Sequence, residues 1–427
     1  MQNRRPPIYR NRIWLVLSLT ASSSALPGCF LIPTVEGTAP AVTCDADGGC
    51  DMAALPPSGA CIHHSDCAIS KVCTFEESNH NHYTCLSDPS RLIFVDTNAC
   101  NKDLTDGSFS NPFCSISDAM PKVKNNGFIR VLSSGMNESI DSSTFEGKSI
   151  TIIGQYEPRI AQNPIQFSAQ QTLKSQHTIR IHHPNTSLTL DGFIISSSAS
   201  SDGAVECSND ASIRIMRSVI INSTNWGINA KGCHEAYIER NHIINNAGAI
   251  QISNTPRYSI VNNIIKSNAP SSAVSSIRIA GGDGLIIFNT IINNLSTGST
   301  GKPIEGAIQV ESNPSQIEVW GSIIYQNSMP LTASAQLFPV SQFKLLGVVV
   351  DERPQQTFGV DVRSINPSFM DEMNLDYRLV NDKASNGNNQ RCCIGQFSQS
   401  HNIDIDLFGQ ARTTATEPGA ISGAWNR

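Results

Sequence analysis

Between Ser218 and Ile324 one short pattern returns five times: Ser218-Val219-Ile220-Ile221, Asn241-His242-Ile243-Ile244, Asn262-Asn263-Ile264-Ile265, Asn289-Thr290-Ile291-Ile292 and Gly321-Ser322-Ile323-Ile324. Aligned on Ile220, Ile243, Ile264, Ile291 and Ile323, the copies step by 23, 21, 27 and 32 residues. A return of roughly 20 to 50 residues is the mark of a chain that stacks one unit on the next. The two short steps match one turn of a parallel β-solenoid, and the longer two need only loop insertions. Asn or Gln follows most copies, at Asn222, Asn245, Asn246, Asn293, Asn294, Gln326 and Asn327. Asn tolerates the left-handed backbone of a tight corner. Stacked from coil to coil, its amides can form a hydrogen-bonded ladder.

A second short strand follows each corner: Ile228-Asn229-Ala230, Ile250-Gln251-Ile252, Ile277-Arg278-Ile279 and Ile308-Gln309-Val310. The apolar, polar, apolar order is that of a half-buried strand with its middle residue outward. The distance from the repeat Ile to this strand is 8, 7, 13 and 17 residues, which puts insertions at about Lys266 to Ser276 and Leu295 to Gly306. Phe128-Ile129-Arg130-Val131, Ser149-Ile150-Thr151-Ile152-Ile153 and Leu188-Thr189-Leu190-Asp191-Gly192-Phe193-Ile194 fit the same mould. Strands of this length with no helical period between them predict an all-β solenoid, each coil burying its apolar face on the next.

Only 15% of the 427 residues are charged, against about 25% in an average soluble domain, and 39% are hydrophobic. No long apolar run lies beyond the N-terminus, which excludes a polytopic membrane protein. At the start, Arg4, Arg5, Arg10 and Arg12 precede the apolar Ile13 to Leu19 and the small residues Ala21 to Ala25, the order of an export signal. Without residues 1–28 the chain keeps 26 basic and 36 acidic side chains, so nucleic acid is excluded as a partner. Residues 29–60 are rich in Pro, Ala, Gly and Asp with no hydrophobic period, as a flexible tether is, and Cys44 and Cys50 could close a small loop in it. The acidic turn Asp45-Ala46-Asp47-Gly48-Gly49 lacks further ligands for a cation.

Thirteen cysteines without a single C-x-x-C pair suit an oxidising compartment. Cys61, Cys67, Cys73 and Cys85 fall in residues 61–90 with His63, His64, His80 and His82 among them. A disulfide-stapled neck competes there with a Cys/His metal site, and export favours the disulfides, with no metal bound. Cys100 with Cys114 and Cys207 with Cys233 are natural pairs by proximity, whereas vicinal Cys392 and Cys393 pair with each other or elsewhere.

Leu26-Pro27-Gly28-Cys29 resembles the lipobox of bacterial lipoproteins, which implies lipidation of Cys29, a partner in the lipid bilayer and an outer-membrane or cell-surface location. The coils resemble the right-handed parallel β-helix of the pectate-lyase-like superfamily over residues 91–340. The opening carries this too: Ile93-Phe94-Val95-Asp96, Asp106-Gly107-Ser108, Asn111-Pro112-Phe113 and Ile116 resemble the cap of many surface β-helix proteins. Within residues 341–427, Asn366-Pro367-Ser368-Phe369, Asp376-Tyr377-Arg378-Leu379, Asp406-Leu407-Phe408-Gly409-Gln410-Ala411-Arg412 and Pro418-Gly419-Ala420 resemble a closing segment. The whole chain is similar to a Gram-negative β-helix surface lipoprotein. That superfamily holds lyases, glycosidases, epimerases, adhesins and proteins of no known activity, so function must come from the site.

For an enzyme, relatives of the polygalacturonase type hydrolyse with paired carboxylates and carry N-T-D, D-D, G-H-G and R-x-K motifs, none of which occurs here. Relatives of the lyase type hold calcium on clustered carboxylates, because a hard cation needs oxygen ligands. From Asn241 to Gly282 there is no acid at all. No catalytic residue stands out, and no cofactor is expected, calcium entering only with a lyase. The outward residues Asn229, Gln251, Arg278 and Gln309 form instead a polar file of about 5 Å per rung at strand spacing, with Arg278 its one fixed charge. Glu305 and Glu311 lie beside it, and the two insertions wall it. A file of this kind suits a polysaccharide or another extended surface ligand, held without turnover. The alternative is a lyase or hydrolase acting on acidic glycan, with Glu305, Glu311 and Asp283 converging on Arg278. A second file, Arg217, Arg240, Val261, Phe288 and Trp320, could stack on sugar faces or pack beneath a loop.

Overall fold

The computed structural model describes residues 67 to 379 apart from 69, 76–82, 87, 89, 134–137, 155–171, 176–178, 198–201, 269–274, 295–306, 313–316, 326, 328–330, 334–342, 347, 351–358, 361–362, 365–368 and 372–375. Cys29, Cys44, Cys50, Cys61, Glu305, Cys392, Cys393, the export signal, the tether and most of both insertions lie outside these residues.

Among the described residues three parallel sheets of eleven, nine and seven strands run the length of a β-solenoid. Helix among the described residues is confined to Ile116–Ala119 and one 3-10 turn at Ser142–Thr144. One coil shows the plan. Glu235–Glu239 lies in the eleven-stranded sheet, His242–Ile244 in the nine-stranded and Gly248–Ser253 in the seven-stranded, before Arg257–Val261 returns to the first. Each central coil therefore has three strands, not two. Inward side chains from all three sheets, among them Ile238, Ile243, Ile250 and Ile252, share one continuous core.

Corners are set by residues that accept positive φ. Arg217, Arg240, Asn262 and Phe288 (φ between 47° and 58°) turn the chain into the nine-stranded sheet; Asn222, Asn245, Ser267 and Asn293 (φ 53° to 59°) turn it out again. The residue after each turns its side chain inward, which builds two ladders. In one, Asn241, Asn263 and Asn289 stack, each Oδ1 accepting from the amide of the coil before at 2.9 to 3.1 Å. In the other, Asn246, Asn268, Asn294 and Asn327 repeat the arrangement. The predicted amide ladder is present, and it is doubled.

The ladders also fix a register that differs from the sequence alignment by one residue. Ile243 pairs with Ile265 and Ile264 with His242; Ile291 likewise pairs with Ile324, not Ile323. Ile264, which the alignment makes an inward position in phase with Ile243, is fully buried but on the rung of His242 and outside the central core cluster to which Ile243 and Ile265 belong.

At the N-terminal end Ile116, Ala119, Met120 and Val123 close the core. Ser115 caps their helix by accepting from the Asp118 N–H at 2.9 Å, and the Glu138 carboxylate accepts from the Ile116 and Ser117 N–H groups. Gly107 (φ 82°) is required, because a Cβ there would meet the Phe113 ring. The neck is a hairpin, Val72–Phe75 against Tyr83–Leu86, stapled by Cys67–Cys85, with Cys73 also disulfide-bonded. Val72 packs on Leu92, Phe94, Phe128 and Ile153, so the hairpin is seated on the first coils. Cys100–Cys114 and Cys207–Cys233 are bonded as expected, the second pair joining neighbouring coils inside the core. Solenoid strands continue beyond residue 340 to Arg363–Ser364, and Asp376–Leu379 then pairs antiparallel with Phe369–Asp371.

Candidate functional site

In the seven-stranded sheet Ile228 and Ala230, Ile250 and Ile252, Ile277 and Ile279, and Ile308 and Val310 are buried in the core. Period-two alternation then puts the residue between each pair on the outer face. Asn229 stands opposite Gln251, Gln251 opposite Arg278 and Arg278 opposite Gln309, so the structure brings the predicted file together in register. It is longer than the sequence reading made it. Glu206 lies opposite Asn229 and Arg180 opposite Glu206, while Thr332 stands beyond Gln309. The triplets Ile179-Arg180-Ile181 and Val205-Glu206-Cys207 show the same alternation and could have revealed this extension.

Arg278 is thus not the one fixed charge of the file, and neither cation is bare. Arg180 Nε donates to Glu206 Oε2 at 3.1 Å, and Arg278 Nη2 lies 2.6 Å from Glu311 Oε2. Glu311 lies two residues past Gln309 on the same face and so reaches Arg278 diagonally, beside an irregularity where Ile279 pairs with Val310 but Ala280 with Ser312. Asp283 does not converge on Arg278; it is exposed in Asp283–Ile287 of the eleven-stranded sheet, opposite Arg257.

Among the described residues, the buried polar atoms that make no hydrogen bond include three on this file, Asn229 Oδ1, Arg278 Nε and Gln309 Oε1. Gln309 is only 4% exposed. Native interiors leave few such groups, and each costs about 1 to 3 kcal/mol. Asn229 is oriented by its other end, Nδ2 donating to the Asp202 carbonyl at 3.2 Å, which assigns the unpartnered atom as its carbonyl oxygen.

The other two faces differ. On the eleven-stranded sheet the polar groups answer one another: Arg257 pairs with Glu235, Arg214 lies 5.3 Å over the Tyr237 ring and 4.0 Å from Glu239, and His234 is 3.3 Å from Asp210. Burial, with the Glu235 charge second, pushes the Tyr237 phenol up. On the nine-stranded sheet the rung of Val219, His242, Ile264, Thr290 and Ile323 is buried throughout. Burial there lowers the His242 pKa to about 4.

Of the two readings of the second file, the structure shows packing for Phe288 and Trp320. Arg217 is buried in an ion pair with Asp191, its Nε 2.7 Å from Oδ1, and Val261, Ile287, Phe288 and Trp320 pack into an apolar cluster of their own. Register puts Asn262, not Val261, beside Arg240. Among the described residues no three His, Cys, Asp or Glu side chains are grouped so as to hold a metal ion.

Residues 148–324 match the family model described as the right handed beta helix region, so the solenoid is a right-handed β-helix. Among solved structures the chain is similar to the pectate lyase Pel9A, at 14% identity over 65% of this chain and 78% of that one, with a TM-score of 0.36. No curated protein matches.

Proposed function

We propose that this protein holds an extended polysaccharide along the outer face of the seven-stranded sheet and does not turn it over. One observation carries this: a straight file of hydrogen-bonding side chains at strand spacing, several with buried polar atoms that lack partners in the free protein. A sugar chain is an extended repeat of hydroxyls. A rigid stack presents its groups at a fixed repeat, so little ordering entropy is lost on docking. Among the described residues Glu311 is the carboxylate that accompanies Arg278, which is short of the paired carboxylates that glycoside hydrolysis uses.

The same proposal places the protein at the cell surface, exported and held to the outer membrane by a lipid on Cys29, with the tether of residues 29–60 between bilayer and solenoid. A fatty-acid probe should label the parent and leave Cys29→Ser unlabelled.

The test is a glycan array followed by titration, with a reducing-sugar assay run on every glycan that binds. Binding should weaken by about 1 to 3 kcal/mol in Asn229→Ala or Gln309→Ala, the range for a lost hydrogen bond in a covered site. No new reducing ends should form. Release of reducing ends would replace this proposal with a hydrolase or lyase, and equal affinity in all variants would move the site elsewhere.

A further inference from the structure

Resting on that proposal, we infer that the file selects a neutral, hydroxyl-rich glycan and discriminates against an acidic one. Both cations of the file already carry a carboxylate at contact distance, Arg180 with Glu206 and Arg278 with Glu311. A uronate or sulfate reaching Arg278 therefore meets the Glu311 charge as well and must displace it. Alternation along Ile308–Ser312 puts Glu311 on the same face as Gln309, which builds this neutralisation into the strand. The chain as a whole adds to it with a formal net charge of −6.

What the file leaves unmet has the polarity of hydroxyls. Asn229 Oδ1 and Gln309 Oε1 are amide oxygens and need donors, while Arg278 Nε is a donor and needs an acceptor. A sugar hydroxyl supplies both, whereas an ionised carboxylate is acceptor-only and leaves the amide oxygens as they are. These atoms are covered in the free protein, so a ligand meets them by turning the side-chain heads outward. Each turned head then trades an unmade hydrogen bond for a made one.

The experiment titrates the full-length exported protein with the neutral hexasaccharides of xylose, glucose and mannose and with hexagalacturonate, each into the parent, Glu311→Gln and Arg278→Ala. The parent should bind at least one neutral hexasaccharide about tenfold or more tightly than hexagalacturonate. Glu311→Gln, nearly isosteric and on a half-buried side chain, frees Arg278. It should raise hexagalacturonate affinity about tenfold and leave the neutral sugar within a few-fold. A parent that prefers hexagalacturonate, and loses it in Arg278→Ala, overturns the selectivity and leaves glycan binding on this file standing. A parent that binds none of the four overturns both. The parent comparison needs no variant to fold.

Discussion

Asn268 shows what a single residue contributes to this stack. Its Oδ1 accepts from the backbone N–H and the Nδ2 of Asn246, and its Nδ2 donates to the carbonyls of Ile243 and Lys266 and to Asn294 Oδ1. All of these groups are buried, so Asn268→Ala leaves several orphans at once. At about 1 to 3 kcal/mol for each, the loss should reach at least about 3 kcal/mol in urea unfolding. His242 gives the stack a pH dependence of a different kind. Its pKa is lowered to about 4 by burial, while the unfolded chain titrates near 6.5. The unfolded state therefore binds the proton first. Stability tied to His242 is intact above about pH 6.5 and falls as the pH drops toward 4, by about 3 kcal/mol in all. Comparing parent and His242→Leu at pH 7.5 and 4.5 isolates this residue, and an equal fall in both would assign the acid sensitivity elsewhere.

Strands pair in this fold by filling one another's gaps. Tyr258 lies opposite Gly284 in the next coil, and a Cβ at Gly284 would run into the Tyr258 ring. Gly284→Ala must push that ring out of a filled core, at about 1 to 3 kcal/mol. With Tyr258→Leu the conflict disappears, so the two substitutions should be strongly non-additive in thermal unfolding. The same pair explains what was hard to see in the sequence. Inward positions of the eleven-stranded sheet run Ile213, Ala236, Tyr258, Gly284 and Ile317, and the outward ones Arg214, Tyr237, Ser259, Leu285 and Glu318. The first of these files changes from Ile to Ala, Tyr and Gly, and only the second inward file, Ile215, Ile238, Ile260 and Ile286, keeps one residue type, so a single recurring Ile per coil left this strand unmarked in the central coils. The seven-stranded sheet was legible because its triplets alternate Ile, polar, Ile in coil after coil. The slip at Asn262-Asn263-Ile264-Ile265 has a local cause: two Asn before two Ile allow two alignments, and only Asn263 Oδ1 accepting from the Asn241 N–H decides between them. In the site, the outward file was readable from alternation alone. Glu311, two residues past Gln309, falls on the same face by the same alternation, so its place beside Arg278 was readable too.

For the molecule as a whole, a stack in which each coil contacts mainly its neighbours behaves as a sum of units and interfaces. One coil should then be removable, provided that the cut respects the ladders. Asn241 and Asn263 occupy equivalent places 22 residues apart, each preceded by a left-handed residue, Arg240 and Asn262. Deleting Asn241 to Asn262 joins Arg240 to Asn263 and keeps the corner, the ladder and the inward phase of the strand that follows. The step of 21 suggested by Ile243 and Ile264 gives a different cut, Asn241 to Val261, which leaves one extra residue at the corner. That residue shifts every later side chain of its strand to the opposite face unless a bulge absorbs it. The 22-residue deletion should keep the parent's far-UV spectrum and a single thermal transition at a somewhat lower temperature. The 21-residue deletion should melt far earlier or fail to fold. Similar melting of the two would mean that the corners, and not the asparagine ladders, set the register of this solenoid.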